Sequence, residues 1–275
     1  MSVFKRICLF RIDGNRKAEA CARSARSFLM SKGITVLTAE EAREGIPPEL
    51  IITFGGDGTL LSGAKLAIRS DIPLMGINLG TVGFLTEEEP GNLIPVLEQI
   101  LEGRYTVEER SLMEAEHTRT GKKSIAMNDV VVSRGGFARL IRLECKVNEE
   151  TFGMFAADGL IVATPTGSTG YSLSAGGPIV APQMSCMIIT PVCPHSLQHC
   201  SSVIPGNAVV RLILQPGRNQ SAELQIDGQS AGALQSGDEI VVRGTDRKIR
   251  LLRLHSYQFF TLIRTKLNEW GTSHE

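Results

Sequence analysis

The chain has 275 residues, and its 29 lysine and arginine residues are balanced by 29 aspartate and glutamate residues, so the formal net charge is zero. At about 150 residues per domain, this length predicts roughly two domains. Neutrality argues against a protein that binds nucleic acid or an anionic membrane through bulk positive potential, and no apolar run approaches the ~20 residues of a membrane span. The composition, 42% hydrophobic and 21% charged, excludes wholesale disorder.

The six cysteines include no Cys-x-x-Cys pair, and most lie among apolar neighbours. This usage predicts reduced thiols in a cytoplasmic protein. Cys186, Cys193 and Cys200 recur every seven residues, but Pro191 and Pro194 break any helix there. We therefore favour structural roles for these cysteines over a metal site.

The first hundred residues alternate strand-like and helix-like segments. Strands are predicted over residues 6–12, 34–38, 50–54 and 72–77, and helices over 15–32, 59–68 and 93–101. The segment 50–54 is apolar on both faces, as is typical of a central parallel strand. We predict an α/β N-terminal domain with a parallel sheet over residues 1–104. The tail, residues 256–275, is expected to pack back on it.

From about residue 105 the pattern becomes one of short β-runs. The predicted strands are 130–132, 139–148, 160–163, 209–214, 223–226, 239–242 and 249–254. Turn residues, among them Asp227-Gly228, separate some of them. Residues 105–255 therefore predict an all-β, sandwich-like C-terminal domain.

The strongest local signal is a glycine-rich turn that follows an apolar strand and opens a predicted helix. Gly55, Gly56, Gly58 and Thr59 are predicted to form a phosphate-binding loop, because glycines allow close approach and a helix N-terminus offers N–H groups to phosphate. A carboxylate at Asp57, among phosphates, suits a metal ion or the acceptance of a proton from an attacking hydroxyl. The alternative is a tight turn in which Asp57 is the helix N-cap.

Two further segments carry ligand-binding chemistry. Residues 76–86 are glycine-spaced and follow a strand, so this loop and the first should face one crevice at the sheet edge. The segment that follows Asp158, residues 163–178, is dense in hydroxyls and glycines, and no charged residue occurs in 159–210. Hydroxyls and backbone amides can together bind phosphate, ribose and base edges. The alternatives are a glycine-rich connection without a ligand and a polar crossover loop.

Two weaker candidates lie in the β-rich part of the chain. Asn128-Asp129 precedes a predicted strand and could bond an adenine or a ribose, but taken alone it also suits a turn. Arg139 begins an alternating strand, where a solvated edge charge is the alternative.

Taken in chain order, these segments resemble the NAD kinase family. The matching strings are Gly-Gly-Asp-Gly-Thr, Asn-Leu-Gly-x-x-Gly-Phe-Leu-Thr, Asn-Asp, Asp-Gly-Leu-Ile-x-x-Thr-Pro-Thr-Gly-Ser-Thr-x-Tyr-Ser-Leu-Ser-Ala-Gly-Gly-Pro, Pro-His-Ser-Leu and Asp-Gly-Gln. The resemblance covers about residues 50–230, and the long fourth string is its most specific part. One departure is Gln198-His199-Cys200-Ser201, where the family usually has Arg-Pro after Pro-His-Ser-Leu.

The resemblance implies phosphorylation of the 2′-hydroxyl of the adenosine ribose of NAD, with ATP or polyphosphate as donor. It implies Asp57 as the catalytic acid/base. The residues it implies in NAD binding are Asp57, Gly58, Asn128, Asp129, Arg139, Asp158, Thr169, Gly170, Tyr171, Ser172, Leu173, Ser174 and Gln229. A divalent cation, with Mg²⁺ favoured, would neutralise the phosphates; no fixed set of protein ligands is predicted, although Asp57 could be one. The family also implies a homo-oligomer, a dimer or tetramer.

Two other functions are compatible with parts of the sequence. A lipid or sugar kinase could share Gly-Gly-Asp-Gly-Thr alone, but would leave the segment 158–178 unexplained. A non-catalytic NAD-sensing regulator could use the same fold, but it would need no base at Asp57.

Overall fold

The structure is a computed structural model that describes residues 3–45, 47–80, 83–86, 90–136, 140–195, 200–217, 221–255 and 258–272. The chain forms two compact units, Met1–Glu109 with Ile249–Glu275, and Arg110–Lys248. The sequence-derived boundaries at 104 and 255 remain a prediction about independently folding domains. No helix in the described part of the chain is long and apolar enough to cross a membrane.

The first unit is built on parallel strands that alternate with helices. The strands are β1 (Arg6–Arg11), β2 (Thr35–Leu37), β3 (Leu50–Phe54) and β4 (Leu74–Ile77). The helices are α1 (Arg16–Ser31), α2 (Ala39–Glu44), α3 (Asp57–Ser70) and α4 (Leu93–Leu101), with a 3-10 turn at Pro90–Asn92. The strand order is β2-β1-β3-β4, and all these pairs are parallel.

Local sequence explains the ends and centre of these elements. Asn15 caps α1, since its side chain accepts hydrogen bonds from the N–H groups of Lys17 and Ala18. Thr38 begins α2 with a capping box that involves Glu41. Strand β3 is buried over all its residues, as its two apolar faces predict, and its bounds match the prediction. The hydrophobic core of the first unit contains buried residues of this strand, of α1 and of α4.

The second unit contains antiparallel strands of two sheets, one of six strands and one of ten. The strands that follow in the chain are β5 (Thr106–His117), β6 (Lys122–Ala126), β7 (Asp129–Arg134), β8 (Ile141–Val147), β9 (Glu150–Ala157), β10 (Gly159–Ala163), β11 (Cys186–Val192), β12 (Ser202–Pro205), β13 (Val209–Leu214), β14 (Ala222–Ile226), β15 (Gln229–Leu234) and β16 (Glu239–Arg253). One sheet has the order β12-β11-β10-β7-β14-β15, and β16-β13-β8-β9 belong to the other, in which β5 pairs with β16 and β6. Alternate residues of both sheets meet in one core, among them Val130, Leu160, Val210 and Ile240.

The structure corrects several sequence-based bounds. The segments 239–242 and 249–254 are not separate strands, because β16 runs unbroken from Glu239 to Arg253. Within the first unit, Leu251 of β16 pairs in parallel with Leu74 of β4. Helix α3 begins at Asp57, two residues before the predicted start. Within the third segment, Thr166–Thr169 form a 3-10 helix and Tyr171–Ser174 a short helix, α5. The last helix is α6 (Phe259–Thr272).

Candidate functional site

The glycine-rich turn joins the buried strand β3 to helix α3. A Cβ atom at Gly55 would lie 2.2 Å from the Thr59 hydroxyl oxygen, so the turn has no room for a side chain there. At Gly56 and Gly58 an added Cβ would meet no atom within 4 Å, so these two residues border open space. Gly56 is the N-cap and supplies no side-chain cap. The first N–H groups of α3 and the positive end of its dipole therefore face a region that could hold phosphate.

The Asp57 carboxylate holds the second glycine-rich segment. Its Oδ2 accepts a hydrogen bond from the N–H of Phe84 at 2.7 Å, and its Oδ1 accepts from the N–H groups of Leu85 at 3.0 Å and Thr86 at 3.2 Å. The Thr86 hydroxyl also donates to Oδ1, at 3.2 Å. The N-cap alternative for Asp57 is thus wrong, because its side chain bonds another loop and not its own helix. The two loops lie side by side after the parallel neighbours β3 and β4, as expected.

In the second unit, Asn128 and Asp129 lie at the start of β7 and are held by a residue that the sequence marked only as part of a turn. The Asp227 carboxylate accepts hydrogen bonds from the N–H groups of Met127, Asn128 and Asp129 at 2.9, 2.7 and 3.1 Å. Three consecutive amides aimed at one carboxylate fix the backbone of the Asn-Asp pair. The turn chemistry of Asp227-Gly228 and the Asp-Gly-Gln string were the signals for this position, and neither indicated that the carboxylate binds backbone amides.

The polar atoms of the Asn-Asp pair are shielded from water. Asp129 is 5% exposed; burial, with the charge of Asp227 added to it, raises the pKa of Asp129 to about 7. The Asn128 Oδ1 atom is buried and has no hydrogen-bond partner among the described residues. Such an acceptor is costly unless a ligand or water bonds it, so the pair can recognise a polar group.

The hydroxyl-rich third segment approaches this pair closely. A Cβ atom on Gly167 would lie 2.1 Å from the Asn128 carbonyl oxygen, so the backbones are in direct contact. A Cβ atom on Gly170 would lie 3.6 Å from Asn128 Nδ2 and 4.0 Å from Asp129 Oδ2. The absence of a side chain at Gly170 therefore leaves space beside both polar side chains.

Several hydroxyls of the third segment have structural partners. Ser168 exchanges hydrogen bonds with the backbone of Val180 at 3.1 Å, and the hydroxyls of Ser172 and Thr190 lie 2.8 Å apart in the core. Thr169 bonds the carbonyl of its own turn. Ser172 and Thr169 thus shape the segment, and they remain predicted NAD contacts. Of the others, Gly170 and Leu173 are half-buried, and Tyr171 and Ser174 are exposed.

The remaining predicted residues are placed as follows. Asp158 forms an ion pair with Arg134, with 2.6 Å between Arg134 Nε and Asp158 Oδ1; no sequence pattern predicted this partner. Gln229 is exposed at the start of β15. Arg139 lies outside the described residues, as do 196–199, which contain half of the departure from the family string. The predicted phosphate-loop residues lie together in the first unit. The described residues of the predicted NAD-binding set, from Asn128 onward, lie in the second unit.

The donor set for a cation is small. Among the described residues, no group of three or more histidine, cysteine or acidic side chains could hold a metal ion. Asp57 is a single carboxylate beside a glycine-lined space. This fits Mg²⁺, which proteins commonly bind through one or two carboxylates while substrate phosphates and water complete its shell.

Comparison with known proteins matches both parts of the chain. The family model described as ATP-NAD kinase N-terminal domain matches residues 42–105, and that described as ATP-NAD kinase C-terminal domain matches residues 127–254. The NAD kinase of Geotalea daltonii is 38% identical to this chain, over 97% of the chain and 99% of that protein.

Two solved structures are similar in fold. Yeast NADH kinase complexed with NADH has a TM-score of 0.84 at 24% identity, over 94% of this chain and 85% of that one. An NAD kinase from Archaeoglobus fulgidus in complex with ATP has a TM-score of 0.78 at 25% identity, over 96% of this chain and 98% of that one. The predicted combination of an α/β part with parallel strands and an antiparallel sandwich is confirmed. Because the sequence similarity extends over nearly the whole length and includes both family models, this chain belongs to the NAD kinase family.

Proposed function

We propose that this chain transfers the γ-phosphoryl group of ATP to the 2′-hydroxyl of the adenosine ribose of NAD, which forms NADP. Membership of the family supports ATP-dependent phosphorylation of NAD. The observation that carries the chemistry is the Asp57 carboxylate, fixed by four hydrogen bonds at the mouth of a glycine-lined helix N-terminus. Polyphosphate remains a second possible donor for the same loop.

The hydrogen bonds of Asp57 indicate which of its oxygens acts. A carboxylate oxygen has two lone pairs. Oδ1 already accepts three hydrogen bonds, whereas Oδ2 accepts one, from Phe84. We therefore assign to Oδ2 the task of orienting the 2′-hydroxyl and accepting its proton. A base so positioned contributes typically ~10²–10⁴ in rate.

The phosphates would be held without many fixed charges of the protein. The first N–H groups of α3, beside Gly56 and Gly58, are suited to the donor phosphates. When bound, Mg²⁺ would neutralise the phosphate charge; phosphate oxygens and water would hold it, and Asp57 would be a ligand only while its Oδ2 does not bond the 2′-hydroxyl. We expect chelation of the cation to abolish turnover.

NAD would be recognised by the second unit. The buried Oδ1 of Asn128 needs a donor, and Asp129 is available to ribose hydroxyls or an adenine amine. Gly170 leaves space beside both. This arrangement disfavours a lipid or sugar kinase, since neither acceptor would use the segment 158–178.

The test is to incubate the pure protein with ATP, Mg²⁺ and NAD and couple the product to an NADP-specific dehydrogenase. The wild type should form NADP, and Asp57→Asn should fold normally yet lose at least ~10²-fold in kcat. Asp71→Asn, at the other end of α3, is the matched control and should keep wild-type activity, because its left-handed conformation (φ 52°) also suits asparagine. Near-normal turnover in Asp57→Asn would remove the assigned role, and phosphorylation of diacylglycerol or a sugar in place of NAD would favour the lipid or sugar kinase.

We also propose that the enzyme works in the cytoplasm as a homo-oligomer. All six cysteines are free thiols, which supports a reducing compartment. The assembly, a dimer or tetramer by family resemblance, can be measured by light scattering.

A further inference from the structure

We propose that Arg253, together with Glu108, positions the loop that holds the catalytic carboxylate, and so acts as a positioning residue for the phosphoryl transfer. This inference rests on the proposed function of Asp57. Arg253 is the last residue of β16 and lies far from Asp57 in sequence, but both belong to the first unit.

Arg253 donates to a backbone carbonyl of the loop, whereas Asp57 accepts hydrogen bonds from backbone N–H groups of the same loop. Its Nη1 donates to the carbonyl oxygen of Leu85 at 2.8 Å, while the N–H of the same residue donates to Asp57 Oδ1 at 3.0 Å. The Leu85 carbonyl and the Thr86 N–H belong to one planar peptide unit. A guanidinium that fixes this carbonyl therefore also fixes the direction in which the Thr86 N–H points toward Asp57.

Glu108 fixes the guanidinium in turn. Its Oε2 lies 2.8 Å from Arg253 Nε, and the two side chains are 14% and 3% exposed. The Thr106 hydroxyl adds a hydrogen bond to the Arg253 carbonyl at 3.3 Å. A planar guanidinium can bond the carboxylate and the carbonyl at once, which a lysine ammonium on a flexible stem does less well.

Stability alone is a weak reason for such a pair. Removing two charges from water carries a large desolvation cost, and buried ion pairs can often be replaced by apolar residues without loss of stability. Here the buried cation contacts the loop whose three amides bind Asp57. Precise placement of that carboxylate is a requirement of catalysis, and a shift of about 1 Å can cost ~10²-fold in rate.

The experiment compares Arg253→Met, Arg253→Lys and Glu108→Gln with the wild type by steady-state kinetics. We expect kcat to fall about 10–100-fold in Arg253→Met, with the KM for NAD changed less than about twofold. Arg253→Lys should recover part of the loss. In an Asp57→Asn background, Arg253→Met should cause no further loss, because the two residues act as a unit.

Hydrogen exchange gives a readout that does not depend on activity. The amides of residues 84–86 should exchange faster in Arg253→Met, because the loop that carries them is no longer held against its acceptor, the Asp57 carboxylate. Arg250→Met is the matched control: it removes a guanidinium from the same strand, one that pairs with Asp71. It should leave both kcat and the exchange of 84–86 unchanged.

The outcomes separate this inference from the proposed function. Wild-type kcat and wild-type exchange at 84–86 in Arg253→Met would overturn the positioning role and leave NAD phosphorylation intact. Absence of NADP formation by the wild type would overturn the function, while the exchange data would still test the contact. If Arg253→Met does not fold, the test rests on Arg253→Lys and Glu108→Gln. Wild-type kinetics and wild-type exchange of residues 84–86 in both variants would refute the positioning role.

Discussion

At the scale of single residues, the site depends on the absence of a side chain at Gly83. A Cβ atom there would lie 2.0 Å from Asp57 Oδ1 and 2.5 Å from the Thr86 hydroxyl oxygen. We predict that Gly83→Ala displaces the carboxylate and lowers kcat at least tenfold, since misplacement by about 1 Å can cost ~10²-fold. Gly91→Ala is the control, because a Cβ at Gly91 meets no atom within 4 Å. Equal kcat in the two variants, both with the wild-type melting temperature, would contradict the prediction.

At the scale of elements, the turn between β14 and β15 supports the start of β7. Asp227, in this turn, accepts hydrogen bonds from three successive amides that end at Asp129, and hydrogen bonds to charged groups contribute about 1.5–3 kcal/mol each. Asp227→Ala should therefore loosen the Asn-Asp pair and raise the KM for NAD about tenfold, with the KM for ATP little changed. Asp246→Ala, which removes an exposed carboxylate of the same unit, is the control. A parallel rise in both KM values would argue for a general loss of structure instead.

The elements also show what the sequence could and could not predict. Strands β3 and β13 and helix α4 have the bounds that their apolar patterns predict. The break expected within β16, between the predicted strands 239–242 and 249–254, does not occur. The intervening residues 243–248 are half-buried or exposed, and a Cβ at Gly244 would lie 2.1 Å from the Gly206 carbonyl oxygen, so a close backbone contact explains this glycine.

The candidate site was predictable where side chains carry the chemistry. Asp57 and the glycines beside it stand out in the sequence. Glycine allows a ligand to approach the backbone closely, and a carboxylate can accept a proton. Three of the four donors to Asp57 are backbone N–H groups, which every residue except proline possesses, so they leave no trace in residue type. Arg253 is distant in sequence from the loop it bonds, so only the fold reveals the contact.

At the scale of the whole molecule, the chain has no net charge, yet the buried carboxylate of Asp129 lies where its ionised form is disfavoured. Residues 159–210 carry no charged side chain, so the third segment brings no cation to Asp129, which burial and Asp227 hold at a pKa of about 7. An unfolded aspartate has a pKa of about 3.9. Between these values the folded protein retains a proton that the unfolded chain has lost, so the free energy of unfolding falls as pH rises from about 4 to about 7.

Replacement of Asp129 tests whether this residue causes the fall in the free energy of unfolding with pH. Asp129→Asn cannot titrate, so its free energy of unfolding relative to that of the wild type should increase from pH 5 to about pH 7 and level off above it. Urea denaturation of both proteins at several pH values, without nucleotide, measures the difference, and Asp246→Asn is the matched control for loss of a carboxylate. A constant difference over this range would contradict the prediction. An increase would mean that the molecule accepts a loss of stability near neutral pH in order to keep a buried carboxylate beside Asn128, where we propose that it binds NAD.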